Sequence, residues 1–167
     1  MNIAITGFSG SGKSTFSRML SEKIGAAICE VDVLFRESFL EQKKSMISLL
    51  GEDCINSDGT INFGLLSLLT PEKDYAIRQQ LSESMNKKIL EEEENAKNEN
   101  KHIIFDYLFL TDCNALVNAD VVIRVEAPIE TRYNRMLDRG NGRFKFTKEQ
   151  FLAMDKLVET TLWQPVE

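Results

Sequence analysis

Gly7-Phe8-Ser9-Gly10-Ser11-Gly12-Lys13-Ser14 fills every fixed position of the pattern G-x-x-x-x-G-K-[ST]. Glycines at these places let successive backbone N–H groups turn toward one point and cradle phosphate oxygens. The lysine that follows reaches the β- and γ-phosphates, and the next hydroxyl ligates Mg2+. With background glycine near ~7%, a chance match somewhere in a chain of this length is on the order of one in a hundred. The glycines fall as G-x-x-G-x-G, which is not the G-x-G-x-x-G spacing of a dinucleotide-binding turn. The stretch therefore implies a nucleoside triphosphate site built from Gly7, Gly10, Ser11, Gly12, Lys13, Ser14 and Thr15.

The flanks supply the context this motif needs. Residues 2–6 are short, apolar and β-branched, as in a strand, and Gly7 stops them. From Lys13 the apolar Phe16, Met19, Leu20 and Ile24 recur at helical spacing until Gly25. Residues 26–31 read as a second strand. Phe39, Leu40, Met46, Ile47 and Leu50 predict one helix closed by Gly51, and Asn56-Ser57-Asp58-Gly59 predicts a turn. Thr70-Pro71-Glu72 supplies an N-cap, a proline at N1 and an acid in the first turn of a long helix reaching about residue 96. The run Glu91-Glu92-Glu93-Glu94 then falls on what is expected to be a solvated face.

Residues 102–106 and 120–125 are continuous apolar runs of the kind that buried parallel strands show. Pro128 opens another helix, and Thr147-Lys148-Glu149-Gln150 fits a capping box for a last one. Strands alternating with helices predict an α/β fold, a mostly parallel sheet flanked by helices. With no repeat and no linker, residues 1–167 are expected to form a single domain. A substrate-side helical insert is expected at about 34–97 and a lid at about 132–146.

Composition narrows the function classes. The 167 residues are 43% hydrophobic and 28% charged, an ordinary globular mix that excludes collagen-like and low-complexity chains. Cys29, Cys54 and Cys113 are far apart and form no C-x-x-C pair, as expected of reduced thiols. No apolar run approaches the ~18 residues of a membrane span, and the start lacks the basic character of a secretory signal. A net charge of −6 disfavours non-specific nucleic-acid binding. A soluble, cytoplasmic protein with neither a nucleic-acid nor a membrane partner is expected.

Seven further residues carry chemistry. Asp106 ends an apolar strand, where a carboxylate can hold Mg2+ together with Ser14. Asp32 lies just past the second strand, at the sheet edge where ligands of parallel α/β folds gather. There it could orient and deprotonate an acceptor hydroxyl, with Arg36 binding an anionic group of the same substrate. Arg132, Arg135, Arg139 and Arg143 are spaced 3, 4 and 4 apart, on one side of a helix that runs into Gly140-Asn141-Gly142. In an acidic chain such a cluster reads as a lid that clamps phosphates, with Arg135 and Arg143 as substrate-binding residues. His102, the only histidine, has no obvious nucleophile or metal partner. Phe144, Phe146 and Phe151 read as packing for the last helix, Trp163 as either a core or an adenine-covering ring, and Asp53 to Asp58 fails calcium-loop spacing.

Taken together these residues resemble the dephospho-coenzyme A kinase branch of the P-loop small-molecule kinases, over roughly residues 2–150. The resemblance is carried by Ile3-Ala4-Ile5-Thr6-Gly7 with Gly10-Ser11-Gly12-Lys13-Ser14-Thr15, by Asp32 with Arg36, and by Arg135 with Arg139. Gly51-Glu52-Asp53 through Asn56-Ser57-Asp58-Gly59-Thr60-Ile61-Asn62 is the part that points to this branch. Phe63 stands where the branch usually carries Arg. The resemblance implies a nucleoside monophosphate kinase-like fold and transfer of the γ-phosphoryl of ATP, with Mg2+, to a hydroxyl of a nucleotide-like acceptor. It further implies that Asp32 is the acceptor-side carboxylate and Arg139 the lid arginine, acting with Lys13. Two alternatives stay open: another nucleoside, nucleotide or sugar kinase, and a nucleotide-binding regulator without transfer activity. A switch-type GTPase needs N-K-x-D, and Asn86-Lys87-Lys88-Ile89 and Asn100-Lys101-His102-Ile103 both fail it.

Overall fold

The computed structural model describes residues 1–66, 69–106, 119–139 and 147–162. Its centre is a parallel sheet of four strands in the order β2-β3-β1-β4, formed by β1 (Asn2–Thr6), β2 (Ala27–Glu30), β3 (Ile103–Asp106) and β4 (Val121–Arg124). Register places Ile5 beside Asp106, and Asp106 beside Glu30, so three adjacent strands end level with one another.

Alternation along β1 builds two cores, since successive side chains point to opposite faces. Ala4 joins Cys29, Phe105 and Phe39 on one face; Ile3 and Ile5 join Ile104 and Ala26 on the other. The second face is covered by α1 (Lys13–Ile24) through Leu20. The first is covered by α2 (Val31–Glu41), α3 (Lys43–Leu50) and the 28-residue α5 (Pro71–Asn98), whose Ile77, Leu81, Met85 and Ile89 recur at helical spacing and are all buried. Phe105→Ala would empty the middle of that core. It should cost about 3–5 kcal/mol of unfolding free energy in a urea titration.

Several expectations change at this level. The second strand ends one residue early, because Val31 already begins α2 and its side chain is needed in the core. The single helix expected around residues 39–50 is two, broken at Gln42, which leaves helical geometry at φ −98° and ψ 22°. Hydrophobic spacing continues across that break because both helices pack on the same core, which is why periodicity alone did not reveal it. The acidic run is not wholly solvated: Asn2 Nδ2 donates to Glu93 Oε1 at 2.8 Å, and the other Glu93 oxygen is buried. The run at 120–125 is the edge strand among the described residues, with Val121 and Val122 41% and 51% exposed. An apolar run shows that a strand forms; it does not show how many neighbours cover it.

The local signals held. Asp58 Oδ1 accepts from the Thr60 N–H at 3.0 Å, closing the predicted turn. Thr70 Oγ1 accepts from Lys73 N–H at 3.5 Å at the start of α5. Thr147 and Gln150 exchange side chain–backbone bonds of 2.9 and 3.3 Å, the reciprocal capping box that starts α7 (Lys148–Leu162). Between them lie the short α4 (Phe63–Leu66) and α6 (Ile129–Arg139). Cys113, Phe144, Phe146 and Trp163 lie outside the described residues.

Candidate active site

The loop between β1 and α1 is shaped by steric necessity at two glycines. A Cβ on Gly7 would sit 2.2 Å from the Val125 carbonyl oxygen, and one on Gly10, at φ +77°, would sit 2.6 Å from the Arg132 carbonyl oxygen. Both contacts lie far below van der Waals distance, so only glycine lets β4 and α6 press against the loop. The Ser11 N–H donates to the Phe8 carbonyl at 3.1 Å, and the Phe16 N–H donates to Gly12 O at 3.0 Å as α1 begins. Lys13, Ser14 and Thr15 therefore occupy the first turn of a helix whose positive end faces the loop. Behind them, buried Ser17 Oγ donates to the Lys13 carbonyl at 2.9 Å and fixes the turn that carries Lys13.

The carboxylates meet this loop from neighbouring strands. Asp106 is buried at the end of β3, level with Ile5 of β1. Asp32 is the second residue of α2, immediately beyond β2. Its side chain is exposed to solvent at the carboxyl end of the sheet. Loss of hydration pushes its pKa above the ordinary aspartate range; the Lys13 charge opposes this, the Asp106 charge adds to it, and Arg36 opposes it. The sheet topology thus brings Lys13, Asp32, Asp106 and Arg36 within electrostatic reach of each other. Arg36, one turn further along α2, lies over the ring of Phe63, 5.4 Å from its centroid.

The arginines of α6 divide into separate roles. The Arg135 guanidinium donates from one nitrogen to the Gly10 and Ser11 carbonyls, both at 3.1 Å, bracing the loop from its carbonyl side. Arg132, expected to belong to a phosphate-clamping lid with the other three arginines, is instead 5% exposed. It forms a bidentate ion pair with Asp155 of α7, donates to Ala127 O at 3.1 Å, and stacks between Phe8 and Phe151 at 4.9 and 5.5 Å. Helical spacing set Arg132 and Arg135 about one turn apart on α6, but nothing in it marked Asp155 as a partner. Arg139 is the last residue of α6, and its side chain lies outside the described residues, as do Arg143 and the 140–146 part of the expected lid. His102 is removed from the site: it takes a 3.3 Å contact from the Met1 ammonium at the opposite end of the sheet.

Asp155→Ala leaves Arg132 charged and buried without its counter-ion. The expected loss is about 3–5 kcal/mol of stability, measured by denaturant unfolding.

Magnesium fits this donor set. Ser14 and Asp106 offer hard oxygens, and the two neighbouring carboxylates, Asp32 and Asp106, repel each other in a way a cation would relieve. Among the described residues no group of three metal-binding side chains occurs. Phosphate oxygens and water would therefore have to complete an octahedral shell.

A phosphate loop between β1 and α1, under a parallel sheet of order β2-β3-β1-β4, defines a P-loop protein of nucleoside monophosphate kinase-like architecture. Residues 3–152 match an AAA domain family, and the chain belongs to it. No curated protein matches the sequence significantly. Among solved structures, TT1252 from Thermus thermophilus is similar with a TM-score of 0.72 and 22% identity, over 94% of this chain and 79% of that one. Deoxyadenosine kinase from M. mycoides, with dCMP and dCDP bound, aligns with a TM-score of 0.52 and 19% identity, over 96% and 82% of the two chains. Dephospho-CoA kinase from Campylobacter jejuni aligns with a TM-score of 0.52 and 14% identity, over 95% and 96%. At these identities the likeness is one of fold.

Proposed function

We propose that the protein is an ATP- and Mg2+-dependent small-molecule kinase, transferring the γ-phosphoryl to a hydroxyl of a nucleotide-like acceptor. One observation carries the reading: Lys13 of the phosphate loop and Asp32, a carboxylate of raised pKa at the start of α2, lie within electrostatic reach of each other at the carboxyl ends of the strands. A phosphate grip alone would serve any nucleotide binder; a proton acceptor beside it serves transfer.

In this reading the loop N–H groups of Gly7 to Thr15 hold the phosphates, and Lys13 places its charge on the β- and γ-phosphates. Ser14 and Asp106 would hold Mg2+, which when bound offsets charge on the phosphate oxygens. Asp32 accepts the proton of the acceptor hydroxyl as that oxygen bonds to the γ-phosphorus. The bond from phosphorus to the β–γ bridging oxygen breaks, and ADP leaves with that electron pair. Arg36 binds an anionic group of the acceptor. Arg135 holds the loop and, with Arg143, contacts substrate phosphate; Arg139 meets the transferring phosphoryl. Residues 34–97 form the acceptor side and 132–146 the lid of one domain. No helix among the described residues is long and apolar enough to cross a membrane, which fits a small-molecule enzyme of the cytoplasm.

The test is ATP consumption against a panel of dephospho-coenzyme A, nucleosides, nucleoside monophosphates and sugars. Acceptor-dependent ADP release supports the kinase. Tight ATP binding with no acceptor-dependent turnover would replace it with a nucleotide-binding regulator.

A further inference from the structure

Phe63 is 38% exposed, although it is a large apolar side chain in the first turn of a helix whose neighbours are occupied with packing. Ile61, two residues earlier, is buried and bridges to Ile55 in an antiparallel pair. Asn62 fixes the backbone between them. Its Oδ1 accepts from the Leu65 N–H at 3.1 Å and its Nδ2 donates to the Asp53 carbonyl at 2.9 Å. The ring is therefore held from a firmly tied backbone and still presented to water.

It is also presented at a particular place. The Arg36 guanidinium lies 5.4 Å from the ring centroid, and the same Arg36 lowers the pKa of Asp32 by its charge. Phe63 thus touches Arg36, which lies one helical turn beyond Asp32 on α2, the residue proposed to meet the acceptor. A separation of 5.4 Å is direct contact for a cation over a ring, with no room for a second ring between them. A planar ligand would have to extend the stack over the exposed part of Phe63, leaving outward-pointing Arg36 N–H groups for an anion.

We infer that Phe63 is the stacking platform for the acceptor, which is accordingly a molecule carrying a planar aromatic base and an anionic group, not a bare sugar or sugar phosphate. This rests on the kinase reading only for the word acceptor; the binding it describes can be measured without turnover. Stacking on an aromatic side chain is tolerant of base identity, because every base has a π-face. The platform therefore selects base-bearing ligands as a class and leaves the choice among bases to other contacts.

The experiment saturates the protein with Mg2+ and a non-hydrolysable ATP analogue, so that the phosphate loop cannot take up the probes. AMP, CMP and ribose 5-phosphate are then titrated calorimetrically. Both nucleotides should bind about tenfold or more tightly than ribose 5-phosphate. Phe63→Ala should shrink that gap to within about threefold, Phe63→Trp should restore it, and Phe63→Leu, which keeps bulk without a π-face, should not. A thermal melt of each variant shows that it is folded at the temperature of the titration. Equal affinity for the three probes, no binding of any of them, or a gap unchanged in Phe63→Ala would each overturn the inference. Failure of the kinase reading looks different: the gap remains, but no acceptor in the panel draws ATP turnover.

Discussion

A folded Lys13→Ala variant is expected to lose phosphoryl transfer by at least about 10²–10³-fold, the usual effect of removing one charged or hydrogen-bonding group aimed at a transition-state oxyanion. Arg135 is engaged with the loop carbonyls and Arg132 with Asp155, so neither repeats the place of Lys13 in the first turn of α1. Thermal unfolding should barely move, since Lys13 fills no core. The substitution has a second readout. Lys13 is the largest influence holding the Asp32 pKa down, so its removal should push the Asp32 pKa further up. The acid limb of the residual kcat/KM profile should therefore move to higher pH. Undiminished turnover in a folded variant would sink the kinase reading.

Asp32→Asn should lower turnover by ~10²–10⁴, the range for a positioned general base, while ATP affinity stays within a few-fold. Its pH dependence has a definite sign. Burial raises the Asp32 pKa, so the proton-accepting form is lost on acidification at a pH above the ordinary aspartate range. The parent kcat/KM should fall through that window, and the Asn variant should lack this limb. Stability carries the same linkage in the opposite direction. A carboxyl whose folded pKa exceeds its unfolded value destabilises the fold where it is ionised, and the penalty fades as pH falls through the folded value. At neutral pH the Asn variant should therefore unfold at a slightly higher temperature than its parent. A large loss of ATP affinity with little change in rate would make Asp32 a nucleotide-side residue instead.

Elements set by short-range chemistry were legible from residue order alone: the loop at 7–14, the strands at its side, the Thr70 and Thr147 caps and the turn at 56–59. In each case the cause lies within a few residues of the effect. What escaped was set by partners distant in sequence. Glu93 looked like surface until Asn2 met it. Val121 and Val122 looked like core until β4 proved to have one neighbour among the described strands and to leave both side chains exposed. Arg132 looked like a phosphate ligand until α7 brought Asp155 to it. The candidate site shows the same division. The loop motif carries Lys13 and Ser14 and the end of an apolar strand carries Asp106, but Phe63 reaches Arg36 only because the chain doubles back at 55–61.

The strand order also fixes when the phosphate loop can take shape. β1 is made first yet lies between β3 and β4, where Ile3 pairs with Ile104 and Val121. During synthesis β1 waits without a partner for roughly 100 residues, roughly 5–20 s at common elongation rates. The loop that follows it leans on Val125 and Arg132, made later still. A ribosome-bound chain stopped short of α6 therefore has the residues of a phosphate grip without its geometry. Nucleotide capture in that loop would become possible only once most of the chain has emerged, because the central strand pairs with strands distant in sequence.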